Sequence, residues 1–366
     1  MKRGNIGFLA AGLLLLLAIL LCGCEKKEAS PAPEIGVWTK VAPAGAINAD
    51  GGEWNGLVRR GSENRVVLCL YGGGVSVNAE MAAHPANSLS GDGFYLTNVV
   101  EGMEAHGISS DSPDNPFRDW TMLLVPYTTG DFHCGAGDFA YTGADGQDAV
   151  LHHAGLTNLR AYLDEVSAWL EQPEALLITG YSAGGFGAAL TADTVLNEYF
   201  PKVENVTVFA DSALLLWDGW RNAAQDVWHS PKEIYESLAS SNITLDALRA
   251  LRQKRPDVKI LFGCSRRDGM LSLFQNYLSS GVAAADDAAG DVFTANLSVM
   301  ATALGELPNT ALLLWDELPY GGDNTLTQHT ILPYDEFFTA QLSGVTPARW
   351  IMDAVEGNLY SAGVGA

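Results

Sequence analysis

Ser182 has the clearest chemical setting of any residue in this chain. It lies in Gly180-Tyr181-Ser182-Ala183-Gly184, after the apolar Leu176-Leu177-Ile178 and before Phe186, Ala189 and Leu190, which recur at helical spacing. A G-x-S-x-G segment between a strand and a helix makes a nucleophile elbow. The turn is too tight for Cβ atoms on its flanks, and the serine hydroxyl projects from it. The backbone N–H groups that follow open a helix, an end that favours negative charge. A serine hydroxyl attacks a carbonyl carbon only when a base takes its proton. The setting therefore demands a histidine, an acid to orient it, and N–H donors for an oxyanion.

Those partners must be carried on elements that converge on Ser182. Continuous apolar runs read as strands buried on both faces, as in a parallel sheet. They occur at Val66–Tyr71, Met122–Pro126, the run before the elbow, Val206–Ala210, Val258–Gly263 and Ala311–Trp315. Val37–Val41 and Leu57–Arg60 read as two short strands around a turn rich in Gly, Asn and Asp. A helical segment is expected from His152-His153 to Leu170, and another after the elbow. Ser212–Pro256 and Leu271–Asn309 exceed ordinary crossovers. They read as cap-like insertions after the strands ending near Asp211 and Gly263. Trp350 onward reads as a short tail. The expected class is α/β, a mostly parallel sheet flanked by helices.

The strand ends then supply candidates. Gly72-Gly73-Gly74 follows the first buried strand, where backbone can approach a ligand closely. The N–H groups near Gly73 and Gly74, with that of Ala183, are the expected oxyanion donors. Only His229 and His329 follow Ser182. His229 sits inside the first insertion, and His329 follows the last strand, so His329 is the expected base. The expected acid is Asp268, in Cys264-Ser265-Arg266-Arg267-Asp268-Gly269, where Arg266 and Arg267 would help keep it ionised. Asp211 also ends a strand and stays open as the alternative. The order Ser, Asp, His is that of α/β-hydrolases. Asp131 and His133 precede Ser182 and are expected on a pocket rim, or else as a turn aspartate with a locally bonded histidine. Asp211 and Trp217 are further pocket candidates, with a plain core role open for the tryptophan.

Composition narrows the partners. Apolar residues are 48% of the 366-residue chain, ample for a core, and the net charge is −22. Such a charge repels phosphate, so nucleic acid is not an expected partner. It would also hinder approach to a de-esterified polyacid. Beyond the leader the cysteines are Cys69, Cys134 and Cys264, an odd number that leaves no complete disulfide framework. No C-x-x-C, H-E-x-x-H or Walker loop occurs, and a vicinal His152-His153 pair on a helix would point to different faces. No metal or organic cofactor is expected. Lys2 and Arg3 before the apolar Ile6–Leu21 have the layout of a signal peptide. Leu21-Cys22-Gly23-Cys24 resembles a bacterial lipobox. The expected organisation is a signal peptide over 1–23, a tether over 24–35 lipidated at Cys24, and a catalytic domain over 36–366. The protein would then be held on the cell envelope, outside the cytoplasmic membrane, by its lipid chains.

The segments YGGGVSVN, VPYTTGDFHCG, GYSAGGFGA, FADS, CSRRDG and QHT, in that order, resemble the pectin acetylesterase family. That family also includes the animal Notum-type carboxylesterases, which remove a fatty acyl group from a serine of a signalling protein. The resemblance spans about Leu68–Thr330. It implies an α/β-hydrolase fold and an extracellular serine esterase that cleaves O-acyl esters, acetyl above all, on a small molecule or a glycan. It also implies Ser182, Asp268 and His329 as nucleophile, acid and base, and Gly73, Gly74 and Ala183 as the oxyanion region. Val75 stands where the family often has Trp, and Tyr181 where it often has Cys. A carboxylesterase for longer acyl groups, and a lipid-anchored binding protein with a decayed site, remain alternatives.

Overall fold

The computed structural model describes residues 31–86, 93–143 and 145–364. The signal peptide, the lipobox and Cys24 lie outside the described residues. The principal elements in chain order are β1 (Trp38–Val41), β2 (Gly56–Arg59), β3 (Arg65–Leu70), β4 (Thr121–Val125), β5 (Gly137–Thr142), β6 (Asp148–His153), α1 (Gly155–Val166), β7 (Ala175–Tyr181), α2 (Ala183–Glu198), β8 (Asn205–Asp211), α3 (Ile243–Lys254), β9 (Lys259–Ser265), α4 (Gly269–Ser280), α5 (Asp287–Gly305), β10 (Thr310–Trp315) and α6 (Pro347–Val355).

Eight strands form one sheet in the order β1-β2-β4-β3-β7-β8-β9-β10. The β1–β2 and β2–β4 pairs are antiparallel, and every pair from β4 to β10 is parallel. The parallel strands are the apolar runs, because helices cover both faces and leave no polar side to the sheet. Val66–Leu70, Leu176–Ile178, Val206–Ala210, Ile260–Cys264 and Ala311–Trp315 are buried without interruption. This is the mostly parallel, helix-flanked α/β-hydrolase architecture. Its consequence for chemistry is geometric. The carboxyl ends of β3, β7, β8, β9 and β10, adjacent in the sheet, all open on one edge, where such sheets hold their sites.

Several local expectations fail for identifiable reasons. His152 and His153 do not start a helix; they end β6, which pairs antiparallel with β5, His153 opposite Gly137. Burial alternates along β6, and α1 begins only at Gly155. The segment after β8 does not line a cleft with its tryptophans. Phe132 stacks on Phe186 at 4.2 Å and meets Trp220 and Trp228 at 5.6 and 5.4 Å, and the Trp228 indole N–H donates to Ser76 O at 2.7 Å. Trp217 packs edge-on against Trp220 at 5.2 Å, a core role. The segment after β9 is the helix pair α4 and α5, packed on each other. The tail is not a tail: it carries α6, whose Trp350 is buried with its indole N–H on Tyr360 O at 2.8 Å. Cys69, Cys134 and Cys264 are buried and free.

Candidate active site

Ser182 follows β7 directly and takes φ 54°, ψ −127°, a strained conformation for a residue with a Cβ. The surroundings over-determine it. Its N–H donates to Asp211 O at 2.9 Å, and its own carbonyl accepts Gly185 N at 2.8 Å and Phe186 N at 3.2 Å. A Cβ on Gly184 would collide with Leu70 O, and one on Gly180 with Gly184 O. The elbow therefore exists only because both positions lack side chains.

The Gly72–Gly74 turn passes beside the elbow. A Cβ on Gly72 would lie 2.7 Å from Ser182 Cβ, and Gly74 has φ +81°. Among the described residues, the N–H groups of Gly73 and Gly74 donate to no protein acceptor. Ala183 opens α2, where helix geometry leaves its N–H without an intrahelical partner. Three unspent donors thus lie around the serine.

His329 and Asp268 meet across the sheet edge. Asp268 is fully buried at the N-cap of α4. Its Oδ1 accepts Leu271 N at 2.9 Å, and its Oδ2 accepts the His329 Nδ1 proton at 2.8 Å. That bond leaves His329 Nε2 as the nitrogen with the free lone pair. Nε2 is buried and has no hydrogen-bond partner among the described residues. No hydrogen bond joins Ser182 Oγ to it among those residues, although both line one cavity. Such contacts are often long in an empty site and tighten on substrate.

The His329 loop is pinned on both sides. Before it, Thr327 N donates to Arg267 O at 3.0 Å and Gly269 N to Thr327 O at 3.1 Å, so the loop pairs with the one carrying Asp268. After it, Ile331 N and Leu332 N donate to Asp211 Oδ2 at 2.8 and 2.9 Å, and Thr330 N donates to Ser212 Oγ at 3.2 Å. Ser212 Oγ in turn donates to Asp211 Oδ1 at 3.1 Å. Asp211 is fully buried, and burial raises its carboxyl to about 6 despite these donors.

Four expected pocket residues lie away from the cavity walls. Asp211 spends its carboxylate beneath the histidine loop. Asp131 is fully buried, accepting from Thr129 Oγ1 at 2.7 Å, His133 N at 3.1 Å and Gly155 N at 2.7 Å, and burial raises it to about 6. It closes a turn and caps the entry to α1. His133 is buried with Nε2 on Tyr71 O at 2.9 Å, and burial lowers it to about 4. Trp217 is in the aromatic cluster described above. Arg266 and Arg267 do not serve Asp268 either: Arg266 pairs with Asp316 at 3.3 Å, and Arg267 with Asp287 and Asp291.

The cavity itself measures about 610 Å³. Ser182, His329 and the Gly72–Gly74 turn contribute to its lining, together with Phe94, Leu96, Met103, Met270, Phe274, Pro319, Tyr320 and Tyr334. Sequence reading missed these walls. Met270 and Phe274 come from α4, Met103 from a single 3-10 turn, and the rest from irregular loops with no period to mark them.

A mostly parallel sheet of this order, with a strained serine directly after β7 and free N–H donors beside it, defines the α/β-hydrolase fold. A family profile for pectinacetylesterases matches residues 39–262, and the chain belongs to that family. Membership makes it an esterase of the acyl-ester kind. The matched range contains Gly73, Gly74, Ser182 and Asp211 and ends before Asp268 and His329, whose pairing rests on the geometry above. No curated protein sequence matches the chain. Among solved structures, the Wnt deacylase Notum from Drosophila is similar in fold, with a TM-score of 0.59 at 14% identity, covering 89% of this chain and 95% of that one.

Proposed function

We propose that the protein hydrolyses O-acyl esters through an acyl-serine intermediate, with Ser182 as nucleophile, His329 as base and Asp268 as the orienting acid. One observation carries this reading: Asp268 holds His329 by Nδ1 at 2.8 Å while Nε2 stays unpartnered on the wall that Ser182 shares. Nε2 takes the Ser182 proton as Oγ bonds to the ester carbonyl carbon, and Asp268 steadies the imidazolium. The oxyanion is met by the free N–H groups at Gly73, Gly74 and Ala183, each such donor worth about 10²–10³ in rate. Collapse breaks the bond to the alcohol, which leaves with the proton from His329. Water, deprotonated by the same nitrogen, then releases the acid. The acyl group proposed first is acetyl, carried on a small molecule or glycan. The cavity's size and the apolar Leu96, Met103, Met270 and Phe274 favour a second reading, a longer acyl chain.

Ser182→Ala decides the mechanism: the folded variant should lose turnover of p-nitrophenyl esters and all labelling by a fluorophosphonate. Unchanged turnover refutes the covalent step, and a wild-type protein that does not label supports a binding protein instead. A panel of p-nitrophenyl esters from acetyl to palmitoyl separates the two acyl readings. We further propose attachment to the cell envelope through lipid on Cys24, supported by the sequence of residues 1–24. Mass spectrometry that finds an unmodified N-terminus downstream of Cys24 overturns that proposal.

A further inference from the structure

The cavity around Ser182 and His329 contains no lysine or arginine among its described lining residues. We infer that this site takes uncharged esters and rejects substrates that carry a carboxylate inside its walls, a galacturonate residue included. The inference rests on the esterase reading above and adds the substrate's charge to it.

The physical case has three parts. The walls are mainly apolar or phenolic, and their other polar members, Gln328 and Thr330 beside Ser182 and His329, include no lysine or arginine, so a carboxylate drawn into them would give up water without gaining a fixed cation, a cost far larger than for a neutral group. Charges next to the lining residues are acidic: Glu104 follows Met103, and Asp335 and Glu336 follow Tyr334. The nearby arginines on the sheet edge, Arg266 and Arg267, are already held by Asp316, Asp287 and Asp291. The two phenols at the mouth register the same field. Tyr320 is pushed up by burial and then by Asp268, and Tyr334 by burial and then by Asp211 and Glu336. Attraction for negative charge at the floor comes from backbone N–H groups beside Ser182, which the oxyanion occupies during reaction. The net charge of −22 extends the same sign to long range.

The test compares p-nitrophenyl hexanoate with mono-p-nitrophenyl adipate, equal in acyl length and leaving group and differing by one terminal carboxylate. Hexanoate should exceed adipate in kcat/KM by about tenfold or more at low salt, with the gap narrowing as salt screens the rim charges. Equal values at low salt overturn the inference while leaving the esterase reading intact. A folded protein that turns over neither of these esters overturns this inference, and one that also fails on p-nitrophenyl acetate overturns the esterase reading with it. The half-buried Glu104 and the exposed Glu336, replaced together as E104K and E336K, should raise turnover of the adipate ester and leave that of hexanoate unchanged. A ratio that does not move in that variant overturns the assignment of the selectivity to these carboxylates.

Discussion

Two buried aspartates at neighbouring strand ends, Asp268 after β9 and Asp211 at the end of β8, face the same histidine loop and do different things with it. Both are fully buried. Asp268 spends one oxygen on its own helix and gives the other to the His329 ring. Asp211 gives its oxygens to backbone N–H groups on the far side of that histidine and to Ser212. Through its main-chain carbonyl it also holds Ser182 N–H. One carboxylate orients an imidazole, and the other fixes the distance between two loops. The difference comes from reach: the chain runs on through Arg266 and Arg267 after β9 ends at Ser265, which carries Asp268 far enough to meet a ring arriving from beyond β10, whereas Asp211 is still within its strand.

That contrast is broken or sharpened first by Asp268→Asn. The amide can present an N–H toward Nδ1 and favour the wrong tautomer, so kcat should fall by about 10⁴ at neutral pH with the fold retained. Steady-state kinetics with p-nitrophenyl acetate on a variant checked by circular dichroism measures it. If Asp211→Asn were the larger loss, the roles of the two residues would be exchanged.

Asp211→Ala comes next. It leaves the buried N–H groups of Ile331 and Leu332 without an acceptor, at roughly 1–3 kcal/mol each. Urea unfolding should show a stability loss of that combined order, with kcat reduced because His329 is no longer held. Ser212→Ala removes the single acceptor of Thr330 N and should cost about 1–3 kcal/mol, with Asp211 still in place. An Asp211→Ala variant as stable as the parent would mean that the strap from β8 carries no load.

The two aspartates also mark the boundary of what sequence could disclose. The apolar runs of β3, β7, β8, β9 and β10 were legible because burial on both sheet faces admits few polar residues. The elbow and Gly72–Gly74 were legible because backbone collisions leave glycine as the solution. Chain order then brought Ser182, Asp268 and His329 to one edge. The partners of Asp211 were not legible: they are backbone groups about a third of the chain away, and every residue type but proline supplies an N–H. Asp131 and His133 look chemical in sequence, and only tertiary burial shows that they are spent on a turn. The cavity walls come largely from irregular loops, where neither period two nor period 3.6 applies.

The smallest effect concerns pH. Asp211 titrates near 6 in the folded protein, raised from an ordinary 3.8 chiefly by burial, with the N–H groups of Ile331 and Leu332 and then the neighbouring His329 acting the other way. A carboxyl whose folded value is raised binds more protons folded than unfolded between those two values. Its contribution to stability is therefore complete below about 4 and declines as pH rises toward 6. The size is at most about 3 kcal/mol at 1.36 kcal/mol per unit. Asp131 acts in the same direction, while His133 and His153, lowered by burial to about 4 and about 3, lose stability as pH falls. These opposing groups make the parent's own curve uninformative. Asp211→Asn removes one of them and leaves the others, and its amide oxygen can still accept from the loop. The difference in unfolding free energy, variant minus parent, should therefore rise between pH 4 and pH 7. Nearby Cys264, Tyr181 and Tyr334 stay neutral across that range, since burial raises all three. A flat difference curve would mean that Asp211 titrates in the folded protein as it does in the unfolded chain, and that its buried place beneath the histidine loop is wrongly drawn.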